Sequence, residues 1–217
     1  MSSKSLIEIE VVSDVVCPWC YIGKRRLQKA VATASDRFDF NITYLPFELN
    51  AQLPEEGVGY KAYLSEKFGG EEQFELQTSR VSEVARQEGL IFDHERQEIS
   101  PNTLRLHALI QAASDQAIQS RIVEGFFKAF FTDGVDLADK ANIVSVALAA
   151  GMDNSTIEKT LSDREMIRRI RQQERDIYAM GIHSVPFYII NREFGISGAQ
   201  TAENFIKVFS QATQEKA

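Results

Sequence analysis

Two cysteines, the only ones in 217 residues, lie three apart in Asp14-Val15-Val16-Cys17-Pro18-Trp19-Cys20-Tyr21-Ile22-Gly23-Lys24, between a strand-like run and a helix-like one. This spacing constrains the chain more than any other feature. Residues i and i+3 in the first turn of a helix stand side by side, with Cβ atoms ~5–6 Å apart. A small adjustment brings two such thiols within disulfide reach. The two sulfurs are expected to be unequal. Cys17 stands where the helix begins, facing unpaired N–H groups and the positive end of the macrodipole, which favours thiolate and makes it the nucleophile. Pro18 suits the first turn, where a missing N–H costs nothing. Cys20, Leu27, Val31 and Ala34 share one helical face, so Cys20 is expected to be the shielded, resolving thiol. A structural disulfide or half of a zinc site are the competing accounts. Zinc normally takes four ligands, and only His94, His107 and His183 remain to complete a set, so no metal is expected.

The surrounding pattern gives a fold. Leu6 to Val12 alternates as a strand, and the helix after the motif carries apolar residues to Ala34. Phe38 to Phe47 reads as a second strand ending at Pro46. This β-α-β unit places its two strands in parallel. From Tyr60 to Gly181 the pattern is helical: Tyr60–Phe68, Gln73–Glu88, a helix opened by Ser100 as N-cap and Pro101 at its first position, Gln116–Phe131, Lys140–Ala150, Ser155–Leu161 and Asp163–Met180. Strand character returns at Val185 to Asn191 and Phe194 to Ser197, and an amphipathic helix from Thr201 closes the chain. The expectation is an α/β fold of order β-α-β … β-β-α with a large all-helical insertion. Residues 1–58 and 182–217 would form the α/β domain and 59–181 the inserted helical domain.

Composition excludes several function classes. A net charge of −7 disfavours nucleic acid as a partner. No run of ~18 apolar residues is present to span a membrane, and the N-terminal segment lacks an apolar signal core. With two cysteines only, no secreted disulfide framework is in view. A cytoplasmic location is expected, where a reducing pool holds the pair largely as a dithiol.

A second feature bears on the site. Val185-Pro186 opens a strand, and cis bonds occur almost only before proline. In that form Val185 would offer backbone groups to an extended partner beside Cys17; an ordinary trans proline is the alternative. Taken together, Cys17-Pro18-Trp19-Cys20-Tyr21-Ile22-Gly23-Lys24, Pro101-Asn102-Thr103 followed by His107, Val185-Pro186-Phe187 and Gly198-Ala199-Gln200 resemble the FrnE-like branch of the DsbA-type thioredoxin-like oxidoreductases, over nearly the whole chain. The resemblance implies a thioredoxin-like fold with a helical insertion, a cis Val185–Pro186 bond and thiol–disulfide exchange. Kappa-class glutathione transferases and 2-hydroxychromene-2-carboxylate isomerases are related, but usually carry Ser where Cys17 stands. The extra C-terminal cysteine pair of some FrnE-like proteins is absent, which removes any relay through a second disulfide.

The remaining candidates each have a plainer account. Asp14 is a candidate general base for Cys20 or a turn residue. His107 is a candidate cleft-lining residue or a packing one. His183 is a candidate stabiliser of the Cys17 thiolate, although it departs from the small residue expected there. Lys24, Arg25 and Arg26 supply positive potential or a solvated helix face. Trp19 is expected to be exposed for an apolar partner, with Pro18 beside it. Gly198, Gln200 and Thr201 precede the last helix, with Thr201 a candidate N-cap. In glutathione-using relatives the corresponding turn holds the γ-glutamyl end, so glutathione is a candidate co-substrate, and no other cofactor is expected. The leading expectation is a thiol–disulfide oxidoreductase acting on protein or small thiols, with a homodimer as a candidate assembly. The alternatives are a glutathione-dependent isomerase or transferase, and a non-catalytic module with a redox-sensing disulfide.

Overall fold

The computed structural model describes residues 4–214. Its central sheet has the order β2-β1-β5-β6, built from β1 (Ser5–Ser13), β2 (Phe38–Pro46), β5 (Phe187–Ile190) and β6 (Phe194–Ser197). β1 pairs parallel to β2 and antiparallel to β5, and β6 pairs antiparallel to β5. The β1–β2 link is α1 (Pro18–Ala34), a crossover helix of the kind parallel neighbours require.

Strand alternation sorts the side chains into two layers. Ile7, Ile9 and Val11 of β1, with Tyr188 and Ile190 of β5, enter one core with Leu27 and Ala30 of α1 and Phe205 and Phe209 of α9 (Ala202–Gln214). The opposite face carries Val12, Leu45, Phe187 and Ile189, and packs on Ile177 of α8 (Arg164–Ala179). Asn191 and Arg192 both hold positive φ (51° and 61°), forming the tight turn that joins β5 to β6. Asn191 also secures the sheet: its Oδ1 accepts the Glu8 N–H at 2.9 Å.

Between β2 and β5 run α2 (Tyr60–Phe68), α3 (Glu71–Gln87), α4 (Leu104–Ala112), α5 (Gln116–Phe131), α6 (Lys140–Ala149), α7 (Asn154–Ser162) and α8. Four of them start on an aspartate whose carboxylate accepts an N–H of the first turn: Asp115 for α5, Asp139 for α6, Asp153 for α7 and Asp163 for α8. Aromatic stacking joins this helical part to α1. The Tyr21 ring lies 4.8 Å from Phe127 at 5° and 5.9 Å from Phe92.

One expected element is different. Ser100 and Pro101 do not open a helix. Ile99–Ser100 is a short strand, β4, paired with β3 (Val58–Gly59), and the Tyr60 N–H donates to the Glu98 carbonyl at 2.8 Å. This pairing holds the backbone extended past Pro101, and α4 starts only at Leu104, whose N–H is taken by Asn102 Oδ1 at 3.0 Å. The effect is to tie the start of α2 to the segment before α4, closing α2 and α3 over the motif end of α1.

Candidate active site

Cys17 occupies the N-cap position of α1 (φ −92°, ψ 112°), and its side chain makes no capping bond. Its carbonyl accepts the N–H groups of Cys20 at 3.0 Å and Tyr21 at 3.3 Å, which starts the helix. Both cysteines are free thiols. Exposure does not separate them, since Cys17 is 4% and Cys20 3% accessible. What separates them is direction. Cys17 lines a cavity of about 570 Å³, and Cys20 does not. Burial is the main cause that pushes the Cys20 thiol well up, with the adjacent Cys17 adding to it; the Ser13 hydroxyl and the Asp14 backbone N–H oppose the rise.

The Val185–Pro186 peptide is cis, and the Val185 carbonyl lies 3.8 Å from Cys17 Sγ. Val185, Pro18 and Trp19 all line the cavity, and Trp19 is 43% exposed at its rim. Gly23, one turn beyond Cys20, lets α1 approach β5. A Cβ there would stand 2.2 Å from the Tyr188 hydroxyl and 3.3 Å from Pro186 Cγ. Sequence patterning offers only the glycine itself as a signal for this contact.

Other candidates lie elsewhere. His107 does not line the cavity. It is buried behind the motif, with Nε2 3.4 Å from Asp14 Oδ1. Asp14 is fully buried; its other oxygen accepts the Leu49 N–H at 2.8 Å, and it acts on Cys20 through its backbone N–H. Burial lowers the His107 imidazole, but Asp14, with Glu48 and Glu174, outweighs it and the net direction is upward. His183 is exposed, with its ring 5.6 Å from that of Tyr178, and it is not part of the cavity lining.

Lys24, Arg25 and Arg26 do not form a solvated face. Lys24 is 3% exposed and donates to Glu124 at 2.7 Å, Arg25 joins it on the same carboxylate, and Arg26 binds Glu88 at 2.7 Å and the Ala199 carbonyl at 2.6 Å. The Gly198–Thr201 turn is held by partners within the fold. Gly198 N–H donates to the Pro186 carbonyl (2.8 Å), Gln200 Nε2 to the Ser197 carbonyl (2.9 Å), and Thr201 Oγ1 accepts from Asn204 N–H at 3.4 Å. None of Gly198, Gln200 and Thr201 lines the cavity. Sequence patterning also misses the far wall, which Leu64, Phe68, Val81, His94 and Phe130 supply from α2, α3, α5 and the segment after α3.

A four-stranded sheet with a Cys-X-X-Cys on its crossover helix, and helices inserted between β2 and β5, defines a thioredoxin-like fold with a helical insertion. The chain belongs to the DSBA-like thioredoxin domain family, whose model matches residues 8–209. It is 24% identical over 211 residues to the uncharacterized protein YwbO of Bacillus subtilis, covering 97% of this chain and 99% of that one. The structure is similar to that of a probable DsbA oxidoreductase from Streptomyces coelicolor, with a TM-score of 0.88, 29% identity, and 97% of this chain and 92% of that one covered. The cytosolic disulfide reductase DsbM of Pseudomonas aeruginosa with GSH shares the fold at 13% identity (TM-score 0.69; 97% of this chain, 100% of that one). Among the described residues, no helix is long and apolar enough to cross a membrane.

Proposed function

We propose that the protein is a thiol–disulfide oxidoreductase of the FrnE-like type, working through Cys17 and Cys20. The observation that carries this reading is the placement of Cys17: a free thiol at the mouth of α1, lining a cavity, with a second thiol one turn behind it and the Val185 backbone alongside. Helix N-termini favour anions, so the site suits a thiolate there. The burial that raises Cys20 keeps it a thiol until its turn comes.

In the reductive direction, the Cys17 thiolate attacks one sulfur of a substrate disulfide and expels the other as thiolate. Cys20 then gives up its proton and attacks Cys17, releasing the second substrate thiolate and leaving a Cys17–Cys20 disulfide. In the oxidative direction the same bonds are exchanged in reverse. DsbA-like family membership and the similarity to a probable DsbA oxidoreductase support this reading.

The test is a Cys20→Ser variant mixed with a disulfide substrate. The expected product is a stable mixed disulfide on Cys17, seen as a mass increase that dithiothreitol reverses. If Cys17 forms no adduct, and alkylates no faster than an unstructured peptide thiol, the proposal fails.

A further inference from the structure

The cavity beside Cys17 is larger than sulfur exchange requires. At about 570 Å³ it falls in the range that encloses a compact small molecule. Its floor is apolar and buried, formed by Tyr60, Val81 and Phe130. Its rim sets apolar side chains in solvent: besides Trp19, Leu49 is 38% and Phe68 39% exposed.

The charge in this lining is one-sided. The chain has 31 acidic residues against 24 lysines and arginines, yet among the described residues no Asp or Glu lines the cavity. Its two charged side chains are Lys67 of α2 and Arg80 of α3, both exposed. Burial lowers the affinity of His94 for a proton, and its Nδ1 is 2.8 Å from the Tyr60 hydroxyl, so it adds a neutral polar group. Other cations on these two helices are matched, Lys61 with Glu71 and Arg86 with Glu83. Lys67 donates to the neutral Asn50 oxygen at 2.6 Å and lies 5.7 Å from the centre of the Tyr63 ring, and neither it nor Arg80 has a carboxylate partner among the described residues.

We infer that the cavity accepts a compact apolar anion, and that the preferred substrate of Cys17 is a low-molecular-weight aromatic disulfide bearing carboxylates. This rests on the thiol–disulfide reading above. Apolar walls take the ring, while Lys67 and Arg80 meet the carboxylate at the rim, where opposite charge also speeds encounter. One turnover moves two electrons. Cys17 bonds one arylthio group and expels the other as thiolate, and Cys20 then releases the first, closing the Cys17–Cys20 bond.

The test uses stopped-flow kinetics of the reduced protein with three disulfides: 5,5′-dithiobis(2-nitrobenzoate), neutral 4,4′-dithiodipyridine, and a cystine-bridged unstructured peptide. Each rate constant is divided by that of 2-mercaptoethanol with the same disulfide, which removes intrinsic reactivity. The normalised constant should be highest for the dicarboxylate, by about tenfold over the neutral aromatic compound. In a Lys67→Gln/Arg80→Gln double variant, this preference should shrink by about fivefold. Equal normalised constants, a lead for the peptide, or a preference that survives the double variant would overturn the inference while exchange at Cys17 stands. No reaction at Cys17 with any of the three would remove the functional reading itself.

Discussion

Two clusters of charge flank the motif, one along the outer side of α1 and one behind the end of β1, and they are built on opposite terms. In the first, Glu124 of α5 accepts the Tyr21 hydroxyl at 2.8 Å, Lys24 at 2.7 Å and Arg25 at 2.9 Å. Burial alone would raise this carboxyl, but the three donors hold it down to about 2. In the second, Asp14, Glu48, His107, Arg171 and Glu174 come together with their hydrogen bonding incomplete. Glu48 meets Arg171, and its N–H donates to Glu174 at 2.9 Å, yet Glu48 Oε2 has no hydrogen-bond partner among the described residues, and Asp14 Oδ1 and His107 Nε2 have only each other, at 3.4 Å. Burial, with Glu174 nearby, pushes Glu48 up to about 7. Satisfied charges fix α1 against α5, whereas burial among incompletely paired charges pushes Glu48 and His107 upward.

The largest expected effect comes from breaking the satisfied cluster. Glu124→Ala strands the buried Lys24 ammonium and should cost about 3–4 kcal/mol in urea unfolding. A loss below about 1 kcal/mol would mean that the two clusters do not differ as described.

The clusters should also fail at opposite ends of the pH scale. Glu124 has a folded value below its ordinary 4.5, so its contribution is present above that value and is lost as pH falls toward 2. Glu48 has a folded value above 4.5, so its ionisation penalises the folded state increasingly as pH rises from 4.5 to about 7. His107, raised above 6.5, adds stability below that pH and loses it as pH climbs through its folded value. Stability should therefore decline from pH 5 to 8, and Glu48→Gln should reduce that decline by about 2–3 kcal/mol. Thermal unfolding across this range gives the slope, and an identical slope in the variant would count against Glu48 as its source.

The smallest effect concerns one contact. Asp14→Asn removes the carboxylate facing His107, and the imidazole should then titrate at lower pH, read from its Cε1 proton resonance. An unmoved titration would show that Asp14 is not what raises it.

Local pattern carried the elements and the reactive pair, and long-range contacts account for most of what it missed. Gln116–Phe131 and Phe194–Ser197 begin and end as their periodicity predicts, because apolar spacing and Asp or turn residues mark them. Ser100-Pro101 reads locally as a helix start, but the partner that keeps it extended is Val58, over forty positions earlier. Lys24-Arg25-Arg26 looks like a solvated basic triplet because Glu124 and Glu88 are far along the chain. His107 is visible as a candidate, yet its setting depends on Asp14, Glu48 and Glu174, which arrive from three separate segments. The cavity wall has the same character: amphipathic α2 and α3 are legible, but not that they face Cys17.

Gly23 has a bearing on how such a site tolerates change. Where its missing methyl would sit, the buried hydroxyl of Tyr188 already intrudes, with the ring of Pro186 close by. Any bulkier neighbour would wedge the crossover helix off the sheet and lengthen the gap between Cys17 Sγ and the Val185 carbonyl. Trp19 can vary at the solvent boundary without disturbing that gap, so the freedom to retune the site is concentrated at the lip, while its calibration is locked from beneath.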